Sequence, residues 1–147
     1  MYYINMEKIS VHPSLKEIIK KLNSYFKTKK EVVFVFLFGS FVHNNIHKNS
    51  DVDIGIYFYP QKNNIEVESS TKYKTENEIW LDVERILKRE VDLIVLNRAS
   101  SKICFSALRG IPVIIKDWKL YLKFMAIVSD EGINYQQMVI SEFKNTL

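Results

Sequence analysis

Seven consecutive apolar residues, Val32–Phe38 (VVFVFLF), stand between Glu31 and Gly39. Val and Phe favour extended chain on a packed surface, so Glu31–Phe38 reads as a buried strand that Gly39 ends. The run is too short to span a bilayer. A second stretch, Asp51–Tyr59, alternates instead. Val52, Ile54, Ile56 and Phe58 share one face, and Asp51, Asp53, Gly55 and Tyr57 share the other. Pro60 stops it, and the polar segment 61–72 reads as an exposed loop. Two shorter apolar runs, 91–96 and 111–115, are also read as strands, the first interrupted by Asp92.

Helical spacing fills the gaps. Leu15, Ile18, Ile19, Leu22 and Phe26 predict an amphipathic helix from Ser14 to about residue 28, with Ser14 and Glu17 at capping-box spacing. Thr75 and Glu78 repeat that spacing ahead of a helix with Ile79, Trp80, Val83, Ile86 and Leu87 inward. Residues 100–109 read as a helix with Gly110 at its C-terminal cap. Residues 41–47 read as a short one. Asp117 caps a helical region over about 117–145, in which Trp118, Tyr121, Phe124, Met125 and Val128 recur and which Gly132 interrupts. Strands separated by helices predict an α/β (α+β) fold, a mixed sheet flanked by helices, in one domain over residues 1–147.

Composition narrows the function. With 147 residues, 47% hydrophobic and 26% charged, the chain is an ordinary globular one. One cysteine, Cys104, excludes an internal disulfide and reads as a small core residue. Three scattered histidines argue against a zinc-only site, even though His43 and His47 have helical spacing. The start, MYYINMEKIS, lacks the regions of a signal peptide, so a cytoplasmic protein without membrane contact is expected. The net charge of +4 is local. Lys16, Lys20, Lys21, Lys27, Lys29 and Lys30 oppose only Glu17 on the first helix and its end, which suits solubility or a partner better than nucleic acid.

The chemistry gathers elsewhere. Gly39-Ser40 follows the first strand, ten residues separate Ser40 from Asp51, and Asp51 and Asp53 share a strand face. A glycine at a strand end lets backbone amides approach a phosphate, and a serine hydroxyl can add a donor. Two carboxylates on one face repel unless a cation joins them. Hard divalent ions such as Mg²⁺ do this and also hold nucleotide phosphates. Asp92 on a nearby strand would complete a cage for two metals about 3.5–4 Å apart, suited to in-line displacement. Singly, each piece has a plainer reading: a turn, a solvated face, an acid at a strand's start. Their joint occurrence in strand context favours the chemical one.

Leu37-Phe-Gly-Ser-Phe41, followed at that interval by Ser50-Asp-Val-Asp-Ile54, resembles the signature of the DNA polymerase β-like nucleotidyltransferase superfamily. The short chain and Glu90-Val-Asp-Leu-Ile-Val-Leu-Asn97 are similar to the minimal nucleotidyltransferase (MNT) branch, in particular the antitoxin of HEPN/MNT toxin–antitoxin pairs. The resemblance extends over about residues 31–120. It implies a nucleotidyltransferase fold, with Gly39, Ser40 and Ser50 binding the nucleotide and Asp51, Asp53 and Asp92 as catalytic metal ligands for two Mg²⁺ ions. The implied reaction moves AMP from ATP to a tyrosine hydroxyl of a HEPN RNase toxin, releasing pyrophosphate and silencing the toxin. An antitoxin acting by binding alone, and transfer to a small-molecule hydroxyl, are the alternatives. The chain departs from many relatives at His43-Asn44, where they carry Arg-Gly, and at Val95, where they carry a second acid. Lys102 and Arg109 could reach phosphates, although solvated surface charge is the plainer reading of each.

Overall fold

The computed structural model describes residues 13–39, 42, 51–61 and 71–129. In chain order the elements are α1 (Pro13–Phe26), β1 (Val32–Phe38), β2 (Val52–Phe58), α2 (Glu76–Leu87), β3 (Val91–Val95), α3 (Ser101–Leu108), β4 (Ile111–Ile115) and α4 (Trp118–Ser129). The strands form one sheet in the order β3-β2-β1-β4. β1 runs antiparallel to both its neighbours, and β2 and β3 are parallel, so the sheet is mixed as expected.

All of β1 is buried, because helices cover both faces of the sheet. On one face Val35 and Leu37 join Val52, Ile54, Ile56 and Phe58 beneath α1 and α2. On the other, Phe34, Phe36 and Phe38 join Tyr57 beneath α3 and α4. An irregularity between Val32 and Phe34 interrupts the pairing with β2. Both Val33 and Phe34 therefore fall on the α3/α4 side. That side is aromatic. Phe34 stacks on Tyr57 with centroids 5.0 Å apart, Tyr57 meets Phe124 at 4.4 Å and Tyr121 meets Phe34 at 5.3 Å. The stripe of Tyr121 and Phe124 is core, and so is Cys104, whose thiol burial pushes up to about 12.

Several local expectations change. α1 runs from Pro13, which places Ser14 in its first turn, and Glu17 pairs with Lys21 at 3.3 Å. Thr75 does occupy the N-cap of α2, but its side chain makes no cap bond. Glu78 faces Lys29 at 3.7 Å, while Glu76 accepts from the Tyr73 N–H and pairs with Arg98. Trp80, expected inward, is 44% exposed. The α3 cap is Arg109 in right-handed conformation, not Gly110, while Ser100 caps its start by accepting from the Ile103 N–H at 3.3 Å. Asp117 caps α4 as expected, accepting from the Leu120 N–H at 3.0 Å. The expected short helix at 41–47 and the break at Gly132 lie outside the described residues.

Candidate active site

Strand direction brings the sequence-predicted acids together. β1 ends where β2 and β3 begin, so Gly39, Asp51, Asp53 and Asp92 share one end of the sheet. Register makes the arrangement tighter. Phe38 lies opposite Asp53, and Asp53 lies opposite Asp92, in one row across three strands about 4.8 Å apart. Period-two alternation puts Asp53 on the same side as Gly55 and Tyr57, the side covered by α3 and α4. Along β2 that face thus begins as an acid site and ends as aromatic core. The polar face inferred from alternation is only its first half, since Tyr57 is 1% exposed.

Gly39 shapes the site by proximity. Its φ is +84°, a region that L side chains rarely adopt. A Cβ built there would lie 2.0 Å from Asp53 Oδ2, so the carboxylate occupies the space that any other residue would fill. The backbone turns at once, with the Val42 N–H donating to the Gly39 carbonyl at 3.2 Å. Gly110 plays a similar part from the other side. Its Cβ would stand 2.0 Å from the Leu37 carbonyl oxygen, which ties the end of α3 to the end of β1.

Charge is unbalanced here. Burial, then the negative charges of Asp92 and Asp51, hold the Asp53 carboxyl above the ordinary carboxylate range. None of the ion pairs among the described residues includes Asp51, Asp53 or Asp92. Among those residues no three His, Cys, Asp or Glu side chains are grouped closely enough to hold a metal ion by themselves. Asp51 precedes the paired part of β2 and is exposed, as is Asp92 on the edge strand. An all-oxygen donor set of this kind, crowded by like charge and open on one side, suits a hard divalent ion. Mg²⁺ characteristically takes one or two carboxylates and completes its shell with water and substrate phosphate.

The edge beside Asp92 is closed by residues that the sequence reading did not single out for this. Val91 precedes Asp92, and its N–H donates to Glu84 Oε2 at 3.1 Å while its carbonyl accepts from Trp80 Nε1 at 2.8 Å. Both groups point away from β2, so α2 caps the free edge of β3. A tryptophan eleven residues before the carbonyl it meets carries no local signal of that role. Val95 is buried in the α1/α2 layer, on the side opposite Asp92. Ser40, Ser50, His43, Asn44 and His47 lie outside the described residues.

The polymerase beta nucleotidyltransferase family model matches residues 20–119, a span that contains all four strands and the whole row of acids. No curated protein matches the chain. Solved structures do. A toxin–antitoxin structure with AMP-PNP superposes with a TM-score of 0.58 at 19% identity, covering 86% of this chain and 98% of that one. The MntA-HepT toxin–antitoxin gives 0.52 at 16%, covering 87% and 98%. A structure from Shewanella oneidensis gives 0.52 at 14%, with the same coverage. At these identities the likeness is one of fold. No helix among the described residues is long and apolar enough to cross a membrane.

Proposed function

This chain belongs to the polymerase beta nucleotidyltransferase family, and on that premise we propose that it is an antitoxin enzyme that transfers AMP from ATP to a tyrosine hydroxyl of a HEPN-type toxin. The observation that carries the chemistry is the row Phe38–Asp53–Asp92, with Gly39 pressed against the Asp53 carboxylate. The toxin as acceptor is supported by the company the fold keeps, which includes a toxin–antitoxin structure with AMP-PNP.

In this reading Gly39, Ser40 and Ser50 hold the triphosphate, the glycine by letting the chain turn within reach of phosphate oxygens. Asp51, Asp53 and Asp92 are the residues that would hold Mg²⁺. Two such ions, when bound, supply neutralisation of phosphate charge and polarisation at the α-phosphorus. The toxin hydroxyl oxygen forms a bond to that phosphorus as its bond to the bridging oxygen breaks. Pyrophosphate departs with the electron pair, and Asp92, exposed at the sheet edge, takes the hydroxyl proton. The chain's own contribution is positioning and electrostatics, in the manner of phosphoryl-transfer enzymes generally.

Asp53→Ala tests this directly. Transfer of label from α-³²P-ATP to the toxin should fall by roughly 10³-fold or more, because several kcal/mol of charge stabilisation disappear. Transfer at the wild-type rate would overturn the mechanism. A second reading, neutralisation by binding alone, is favoured by His43-Asn44 and Val95 at positions where many relatives carry Arg-Gly and an acid. Growth rescue that survives Asp51→Asn combined with Asp53→Asn would select it.

A further inference from the structure

We propose that Arg109 binds the β- and γ-phosphates of the nucleotide, and hence the pyrophosphate that leaves; this rests on the nucleotidyl-transfer reading above. Two independent coordinates place it there. The first is the face of the sheet. α3 packs through Cys104 and Ala107 into the same layer as Phe38 and Tyr57, the side that Asp53 and Asp92 share. The second is the end of the sheet. The tight approach of Gly110 to the Leu37 carbonyl and to Phe38 Cβ fixes the neighbouring Arg109 backbone beside the last residues of β1, just before Gly39.

The sheet order then divides the site. β1 lies between β2 and β4, so Gly39 has the acids on one side and the Arg109–Gly110 corner on the other. In the proposed arrangement the α-phosphate lies over the acids and the remaining phosphates lie on the β4 side of Gly39. Arg109 is exposed there and takes part in none of the ion pairs among the described residues. Its backbone N–H is used within the helix, donating to the Phe105 carbonyl at 3.1 Å. The helix end by itself would repel phosphate, because its last carbonyls carry partial negative charge. A guanidinium at that corner reverses the sign and offers paired donors matched to phosphate oxygens. Lys102, the other cation considered on this helix, is at its opposite end and serves as the internal control.

The experiment is equilibrium binding by calorimetry, with Mg²⁺ and either AMP or an ATP analogue whose α–β bridge is methylene, so that no turnover occurs. Arg109→Ala should weaken the triphosphate about 10- to 100-fold, as expected for a lost charge-assisted phosphate contact, and leave AMP unchanged. Arg109→Lys should recover part of the loss, and Lys102→Ala should bind both ligands as the wild type does. Wild-type affinity in Arg109→Ala, an equal loss for AMP, or an equal loss in Lys102→Ala would each overturn the assignment while leaving the nucleotide site intact. If the wild type binds neither ligand, the nucleotidyl-transfer reading falls and the assignment with it. Matching thermal melts of the variants confirm that the fold is unchanged.

Discussion

Where β2 finishes, Asn97 is 1% exposed and clasps Phe58 from both sides. Its Oδ1 accepts from the Phe58 N–H at 2.8 Å and its Nδ2 donates to the Phe58 carbonyl at 2.9 Å. Nearby, the Tyr59 N–H donates to the Glu31 carbonyl, and Arg98 joins Glu76 and the Thr71 carbonyl. Where β2 begins, Asp53 has like charges for neighbours and a glycine pressed against it. At one end Asn97 ties down the backbone of Phe58, although Glu31 Oε1 stays buried there without a partner among the described residues. At the other end carboxylates crowd together without a cationic partner among those residues. The difference teaches that this fold concentrates its stability away from its chemistry, as proteins commonly do when a site must hold unfavourable charge.

The comparison can be broken most severely at Asn97. Asn97→Ala leaves a buried N–H and a buried carbonyl without partners and should cost about 2–4 kcal/mol in urea unfolding. Affinity for Mg²⁺-nucleotide should hold steady in the same variant. A cost no greater than that of a surface substitution would mean that the clasp contributes little.

Gly39→Ala probes the other end and should cost less in stability, about 1–2 kcal/mol for a left-handed alanine. Its larger consequence is functional, because the new methyl group displaces the Asp53 carboxylate. Label transfer should fall roughly 100-fold, the loss expected when one electrostatic contact of a reacting centre is misplaced. Wild-type transfer from a folded Gly39→Ala protein would show that the close approach is incidental.

The smallest effect has the opposite sign. Asp53 has a folded-state value above its unfolded value of 3.8, so the folded chain binds more protons than the unfolded chain between the two. Stability therefore declines as pH rises through that window, and the penalty persists at neutral pH. Asp53→Asn removes it and should melt above the wild type at pH 7, with the gap closing below pH 3.8. Added Mg²⁺ should raise the wild-type melting temperature and leave that of Asp53→Asn unmoved. A variant that melts below the wild type at pH 7 would mean that the carboxylate stabilises the fold.

Much of this architecture was legible in the chain. The seven-residue apolar run, the alternation over Val52–Phe58 and the helical spacings located the strands, α1, α2, α3 and the start of α4 to within a few residues. The acids of the candidate site and their glycine stood out for the same reason: spacing along a strand dictates which side chains share a face. Capping was less legible. Thr75 has the right neighbours for a capping box, yet Glu76 and Glu78 are drawn to Arg98 and Lys29, residues distant in sequence. Trp80 sits at an inward helical position but turns its indole to the Val91 carbonyl at the sheet edge. Propensity and periodicity do not register that competition, because it depends on what stands across the gap.

By itself, then, the sequence determined which segments extend and which coil, which residues share each face, and that a glycine and three aspartates occur at intervals suited to phosphate and metal. These follow from the geometry of a single chain segment. Only the tertiary structure decided that Phe38, Asp53 and Asp92 stand in one row, that the Asp53 carboxylate fills the space beside Gly39, and that Gly110 brings Arg109 to the same corner. It also decided that Asn97 closes the far end of β2, 39 residues away along the chain. Strand order and register set those distances, and both arise from packing two helical layers on one sheet, a property of the assembled core that no local spacing encodes.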